Sequence, residues 1–225
     1  SSTADLDQLR IGACIAEKAV KIRKELAVIV ARSTKGEVRS FPPVEMEFNA
    51  AANLVEELVC PAPISEALAA EATALAERVI GAFDMAGILA VELFVDEQGK
   101  VLVNEVAPRA HNSGHHTIES VVTSQYEQQL RAIFGFQLGS TRITMPSVMI
   151  NLLGAASHAG KVRYEGLTEC MALEGVKVHI YGKTHTKPFR KMGHVTVLTP
   201  SLETARNQAN KVKQLLKVTA WTNLK

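Results

Sequence analysis

Between Asn104 and Ser120 the chain reads NEVAPRAHNSGHHTIES, crowding acid, amide, guanidinium and imidazole groups into one short stretch. The run KVLVNEV before it has the β-branched, apolar content of a strand. TIESVVTSQYEQQLRAIFG after it has the periodicity of an amphipathic helix closed by Gly135. A charged loop held between two apolar elements is where a scaffold mounts reactive groups. Glu105 and Arg109 sit beside apolar residues that point toward burial, and charge is rarely buried without a partner. The alternative is a solvated linker.

A second acid lies nearby. GILAVELFV, DEQG and KVLVNEV read as a hairpin with a short polar turn at Gly99. Pairing Val95 with Lys100 sets Glu92 opposite Val103 and makes Glu105 its diagonal neighbour, about 7–8 Å away and on the same face. Two such carboxylates repel unless a cation joins them. Hard divalent ions such as Mg²⁺ take carboxylate together with phosphate oxygens, so the pair suits a nucleotide–metal platform. A solvated face that binds nothing is the competing reading, against which stand the apolar neighbours of Glu92.

Two further groups carry charge. EKAVKIRKE offers Glu17, Lys18 and Glu25 near strand ends, where backbone groups could hold a purine and Glu25 could accept from ribose hydroxyls. Simple exposure is the alternative. Lys183, Lys187, Arg190, Lys191 and His194 fall in a loop between two strands, punctuated by Gly182, Pro188 and Gly193, which could close over an anion. An ordinary basic hairpin tip would look the same.

The elements around these groups predict an antiparallel sheet. CIAEKAV and ELAVIVARS read as strands joined by KIRK, EVRSF as a third, and ELVCPAPIS as the end of another extended segment. A long helix runs from about Ser65 to Phe83. Gly139 to Pro146 reads as a crossing segment. SVMINLLG, VKVHIYG and HVTVL then read as short strands before a helix capped by Ser201. A boundary near residue 140 divides the chain into 1–140 and 141–225.

Composition narrows the class. At 225 residues, 47% hydrophobic and 21% charged, the chain has room for one large or two small domains. A net charge of +2 and 5% aromatic residues argue against nucleic acid. No apolar run of about 18 residues predicts a membrane span, and the start lacks a signal-peptide pattern. Cys14, Cys60 and Cys170 are odd in number and widely spaced, which suits a reducing, cytoplasmic setting. The first residue is not methionine, which leads us to expect a fragment.

VELFVDEQGKVLVNEVAPRAHNSGHHTIES, with TSQYEQQLRAI, MINLLG, HIYGK and RKMGHVTVL, resembles the ATP-grasp family, and within it the 5-(carboxyamino)imidazole ribonucleotide synthases of purine biosynthesis. The resemblance runs from about Cys14 to Leu198. It implies an α+β fold: the second part of an ATP-grasp domain, an antiparallel sheet with flanking helices, followed by a small carboxy-terminal β-rich domain. It implies an enzyme that uses MgATP and bicarbonate to carboxylate 5-aminoimidazole ribonucleotide, releasing ADP and phosphate, and that works as a homodimer without nucleic-acid or membrane partners. Formate-dependent glycinamide ribonucleotide transformylase or biotin carboxylase chemistry, and a non-catalytic assembly fragment, are the alternatives.

Residue by residue, the resemblance assigns Glu17, Lys18, Ala19 and Val20 to the adenine and Glu25 to the ribose. Glu92 and Glu105 become Mg²⁺ ligands, with Asn104 beside the triphosphate. Arg109, His111 and Asn112 line the bicarbonate and carboxyphosphate pocket, and Lys183 and Arg190, helped by Lys191, grip the ribonucleotide 5′-phosphate. Many relatives carry histidine where Phe48 stands. The resemblance also implies that an amino-terminal domain and the glycine-rich ATP loop are missing, so that this piece alone turns over little or nothing.

Overall fold

The computed structural model describes Ile15, residues 17–49 and residues 54–221. Its largest element is a nine-stranded sheet with antiparallel pairing throughout. Strand β1 (Ile22–Arg32) is central to its first half, flanked by β5 (Gly87–Asp96) and β3 (Val44–Asn49), with β2 (Val38–Ser40) pairing at its end. Beyond β5 lies β6 (Val101–Ala107). Beyond β3 follow β4 (Leu54–Cys60), β7 (Ser147–Leu153), β11 (Lys191–Leu198) and β9 (Val176–Ile180). A separate three-stranded sheet joins β10 (His185–Thr186), β8 (Gly160–Glu165) and β12 (Lys217–Ala220).

Side-chain alternation sorts the two faces of the first half. Leu26, Val28 and Val30 of β1 and Leu89, Val91 and Leu93 of β5 pack against Ala72, Ala76 and Ile80 of helix α1 (Glu66–Ala82). Each large apolar side chain buried there contributes roughly 1.5–3 kcal/mol. The residues between them, Glu25, Ala27 and Glu92, therefore face away from α1. In the second half, Val148, Ile150, Leu152, Met192, Val195 and Val197 pack on Ala205, Ala209 and Val212 of the closing helix (Leu202–Leu215).

Both long helices start where expected, near Ser65 and at the Ser201 cap. The Ser65 hydroxyl accepts from Leu68 N and the Ser201 hydroxyl from Thr204 N. Three expectations need correction. Where CIAEKAV predicts a strand, Ile15 and residues 17–20 lie in no strand, and Cys14 and Ala16 are outside the described residues. Ile22 to Lys24 of KIRK belong to β1 instead of joining two strands, because the long β5 pairs β1 from Ile22–Asp96 to Arg32–Gly87. The helix expected after the reactive loop is two, α2 (Thr117–Ser120) and α3 (Gln125–Ile133). Between them Val121 is extended and bridges Ile143, and the Ser124 side chain caps the new start by accepting from Glu127 N. Strands β8, β10 and β12 and the short helix α4 (Leu167–Met171) had no counterpart in the sequence analysis. The closing helix is thus α5. Among the described residues, no helix is long and apolar enough to cross a membrane.

The glycine of RKMGH has a packing cause. A Cβ on Gly193 would lie 2.2 Å from the His179 carbonyl oxygen of the neighbouring strand. Gly193→Ala must push β9 away from β11, and is expected to cost about 1–3 kcal/mol. Chemical denaturation measures this, and an unchanged midpoint would contradict the packing argument.

Candidate active site

The β5–β6 hairpin does not keep the simple register. Val95 pairs with Val101 and Leu93 with Val103, after which β6 carries one extra residue, so that Glu92 pairs directly with Glu105. The bulge at Asn104 corrects the diagonal expectation and brings the carboxylates closer, with Cβ atoms about 4.5–5.5 Å apart as in any directly opposed pair. Both still share one face. Glu25 joins them there, two residues from Ala27, the β1 partner of Glu92.

Three acids on one face disturb each other. The Glu92 side chain is only 13% exposed. Burial, and then repulsion from Glu105 and Glu25, pushes its carboxyl up to about 7, against the pull of Lys191. Burial also raises Glu25. Among the described residues, no three His, Cys, Asp or Glu side chains form a ready metal cage. The pair fits a hard cation that takes one or two carboxylates from protein and its remaining oxygens from water and phosphate, as Mg²⁺ does.

The opposing groups arrive from the loop that follows β6 and from a segment much later in the chain. His111 Nε2 lies 3.4 Å from Glu92 Oε1. Its Nδ1 accepts from Ser113 N at 3.3 Å, which assigns the ring proton to Nε2, facing the acid. Burial, Arg109 and Lys191 lower this imidazole to about 4, so it is neutral at neutral pH. Lys191, the first residue of β11, is lowered by burial; Glu92 opposes that shift, and Arg109 and Lys183 add to it. Glu92, Arg109, His111 and Lys191 therefore share one electrostatic neighbourhood.

The loop that carries Arg109 and His111 is held by a residue the sequence analysis missed. Gln125 is fully buried. Its Oε1 accepts from His111 N and its Nε2 donates to His111 O, both at 2.9 Å. A Cβ on Gly114 would come 2.4 Å from the same amide, so glycine is required for this clamp. Nothing in an amphipathic helix pattern marks one glutamine as a loop anchor. Asn112 opens a 3₁₀ turn, Asn112–Gly114, within the clamped segment.

Other predicted residues are more scattered. Glu17, Lys18 and Ala19 are exposed and Val20 is half-buried on the irregular approach to β1. Lys183 Nζ donates to the Lys191 carbonyl at 2.6 Å, and Arg190 Nη1 to the His185 carbonyl at 2.9 Å. Lys187 is exposed. His194 is not part of a cationic loop: it is 2% exposed within β11, and burial, His115 and His179 lower it to about 3. Phe48 packs against the core of Val44, Met46 and Leu58.

An open antiparallel sheet whose paired acids face basic groups from a later segment defines a class. The ATP-grasp domain family matches residues 2–126, and the chain belongs to that family. The phosphoribosylaminoimidazole carboxylase C-terminal domain family matches residues 147–208. Within this class the chain is similar to the N5-carboxyaminoimidazole ribonucleotide synthase of Bacillus subtilis (strain 168), with 41% identity over 191 residues, 84% of this chain and 48% of the relative. The crystal structure of N5-carboxyaminoimidazole ribonucleotide synthetase from Thermotoga maritima matches with a TM-score of 0.85 and 45% identity, over 93% of this chain and 57% of that one. The synthase from Aspergillus clavatus, in complex with ADP and 5-aminoimidazole ribonucleotide, matches with a TM-score of 0.85 and 33% identity, over 94% and 56%. The chain spans between about a third and about half the length of the curated relatives it matches.

The shifted acid yields a pH test. The folded Glu92 carboxyl, at about 7, binds its proton more tightly than the ordinary 4.5 of an unfolded chain. Its stabilising contribution is complete below the lower value and is lost as pH rises through the upper one. In metal-free buffer Glu92→Gln should therefore gain stability over the unsubstituted protein between about pH 5 and about pH 8, as measured by denaturant unfolding. A gap that stays constant with pH would contradict this.

Proposed function

We propose that this chain is the carboxy-terminal part of an ATP- and bicarbonate-dependent carbon–nitrogen ligase. The enzyme carboxylates the exocyclic amine of 5-aminoimidazole ribonucleotide and releases ADP and phosphate. The observation that carries the proposal is the directly opposed Glu92–Glu105 pair, facing His111, Arg109 and Lys191.

In this reading Glu92 and Glu105 hold Mg²⁺, which when bound neutralises phosphate charge and makes the γ-phosphorus open to attack. Asn104, displaced by the bulge, lies beside the triphosphate. The backbone at Glu17, Lys18, Ala19 and Val20 takes the adenine, and Glu25 the ribose hydroxyls. Arg109 orients bicarbonate and stabilises charge that develops on it. His111, neutral and protonated at Nε2, donates a hydrogen bond to carboxyphosphate, with Asn112 beside it. Its low basicity favours this positioning role over that of a general base.

Lys183 and Arg190 grip the 5′-phosphate of the ribonucleotide. Lys191, which the resemblance assigns to help them, also stands near the acid pair. Its partial burial near Glu92 and Arg109 supports a place on the carboxyphosphate. A division of the chain near residue 140 belongs to the proposal, supported by the interval between the two family matches. So does a homodimer, for which the exposed Leu130, Ile133, Phe134 and Phe136 offer an apolar strip. A reducing, cytoplasmic setting agrees with the buried free thiols Cys60 and Cys170.

The test uses the full-length protein that contains this chain. ADP release should depend on bicarbonate and not be supported by formate. Glu105→Gln should lower it by roughly 100-fold or more, the scale of losing a few kcal/mol of charge stabilisation. Retained activity in that variant would contradict the metal role.

A further inference from the structure

Three imidazoles that the proposed reaction does not use form a continuous stack. The His115 and His194 rings lie 4.8 Å apart and 24° from parallel, and the His194 and His179 rings 4.4 Å apart and 11° from parallel. They come from separate parts of the chain. His115 follows the clamped turn after His111, whereas His194 and His179 are cross-strand partners on β11 and β9.

Every ring has its own polar anchor. The Tyr126 hydroxyl lies 2.9 Å from His115 Nδ1, and Gln125 Nε2 3.1 Å from the same atom. The Tyr181 hydroxyl lies 3.0 Å from His194 Nδ1, and its ring meets His115 edge-on. Glu119 Oε1 lies 2.5 Å from His179 Nε2. Flat aromatic rings held in this way resist sliding as well as separation. Close stacking also requires that adjacent imidazoles not both be charged, and burial, reinforced by neighbouring histidines and, for His115, by Lys191, lowers His115 to about 4 and His194 to about 3.

The stack connects directly to the site. The Gln125 amide that reaches His115 also holds both backbone polar groups of His111. The middle ring, His194, lies three residues after Lys191 on the same strand. The loop with Arg109 and His111 and the strand with Lys191 belong to parts of the chain that are far apart in sequence. A cross-link between them sets how closely their cations approach Glu92.

We propose that the His115–His194–His179 stack is a positioning device that fastens the loop bearing Arg109 and His111 to the strand bearing Lys191. The three histidines act through those groups and touch no reactant. The proposal rests on the reading of the site as an anion-holding centre.

The experiment uses the full-length protein, isotopically labelled, with His194→Ala, His194→Phe and Tyr126→Phe. His194→Ala should shift or broaden the imidazole ¹⁵N resonances of His111 and lower kcat for bicarbonate-dependent ADP release roughly tenfold to 100-fold, with KM for ATP within about twofold. His194→Phe, which keeps a flat ring, should restore most of kcat. Tyr126→Phe removes only a hydroxyl at the protein surface, so it still reports if the alanine variant does not fold, and it should move the His111 resonances in the same direction. The resonances need no turnover, so they decide the positioning claim even if the substrate assignment fails. Unchanged His111 resonances in His194→Ala, or in Tyr126→Phe where the alanine variant is unfolded, would overturn the proposal.

Discussion

Glu92 and Glu105 stand directly opposite one another on adjacent strands, with Glu25 on the same face. Like charges so placed destabilise a sheet, and burial of Glu92 strengthens the repulsion. The rest of the site follows from this constraint. Unless Glu92 takes up a proton, a cation must be drawn in between the acids, or their charge must be answered from outside the hairpin. The hairpin turn is too short to supply such groups. Arg109 and His111 come from the next loop, and Lys191 from a strand much later in the chain.

That distant supply explains why the large sheet is continuous. Pairing of β4 with β7 and of β7 with β11 carries the main chain from the first half of the molecule to Lys191 without a break. Backbone hydrogen bonds along this path leave little freedom in where the lysine starts, which a flexible loop could not match. On the reverse side of the first half, α1 covers the apolar residues of β1 and β5, so that alternation along each strand leaves the acids on the opposite side. The buried Gln125 performs the corresponding task for the loop, because it holds both backbone polar groups of His111 at once.

Elements governed by local chemistry were legible in the sequence. The helix start near Ser65, the cap at Ser201, the hairpin around Gly99 and the shared face of Glu92 and Glu105 all depend on neighbours within a few residues or on a period of two. Features that depend on distant partners were not legible. The extra residue at Asn104 leaves no trace in hydrophobic pattern, yet it turns a diagonal pair into a direct one. The helix break at Val121 needs Ile143 as partner. His194 looked like one more cation of a basic loop because burial within β11 is invisible in residue types alone. Strands β8, β10 and β12 are short, and their pairing joins segments far apart in sequence.

The central claim is that the opposed acids hold the cation of a bound nucleotide. Anomalous diffraction from crystals of the full-length protein grown with Mn²⁺ and ADP tests it most directly. The account predicts one anomalous peak within about 2.5 Å of carboxylate oxygens from both Glu92 and Glu105, shared with the nucleotide phosphates. A nucleotide-bound metal ligated by neither glutamate would contradict it.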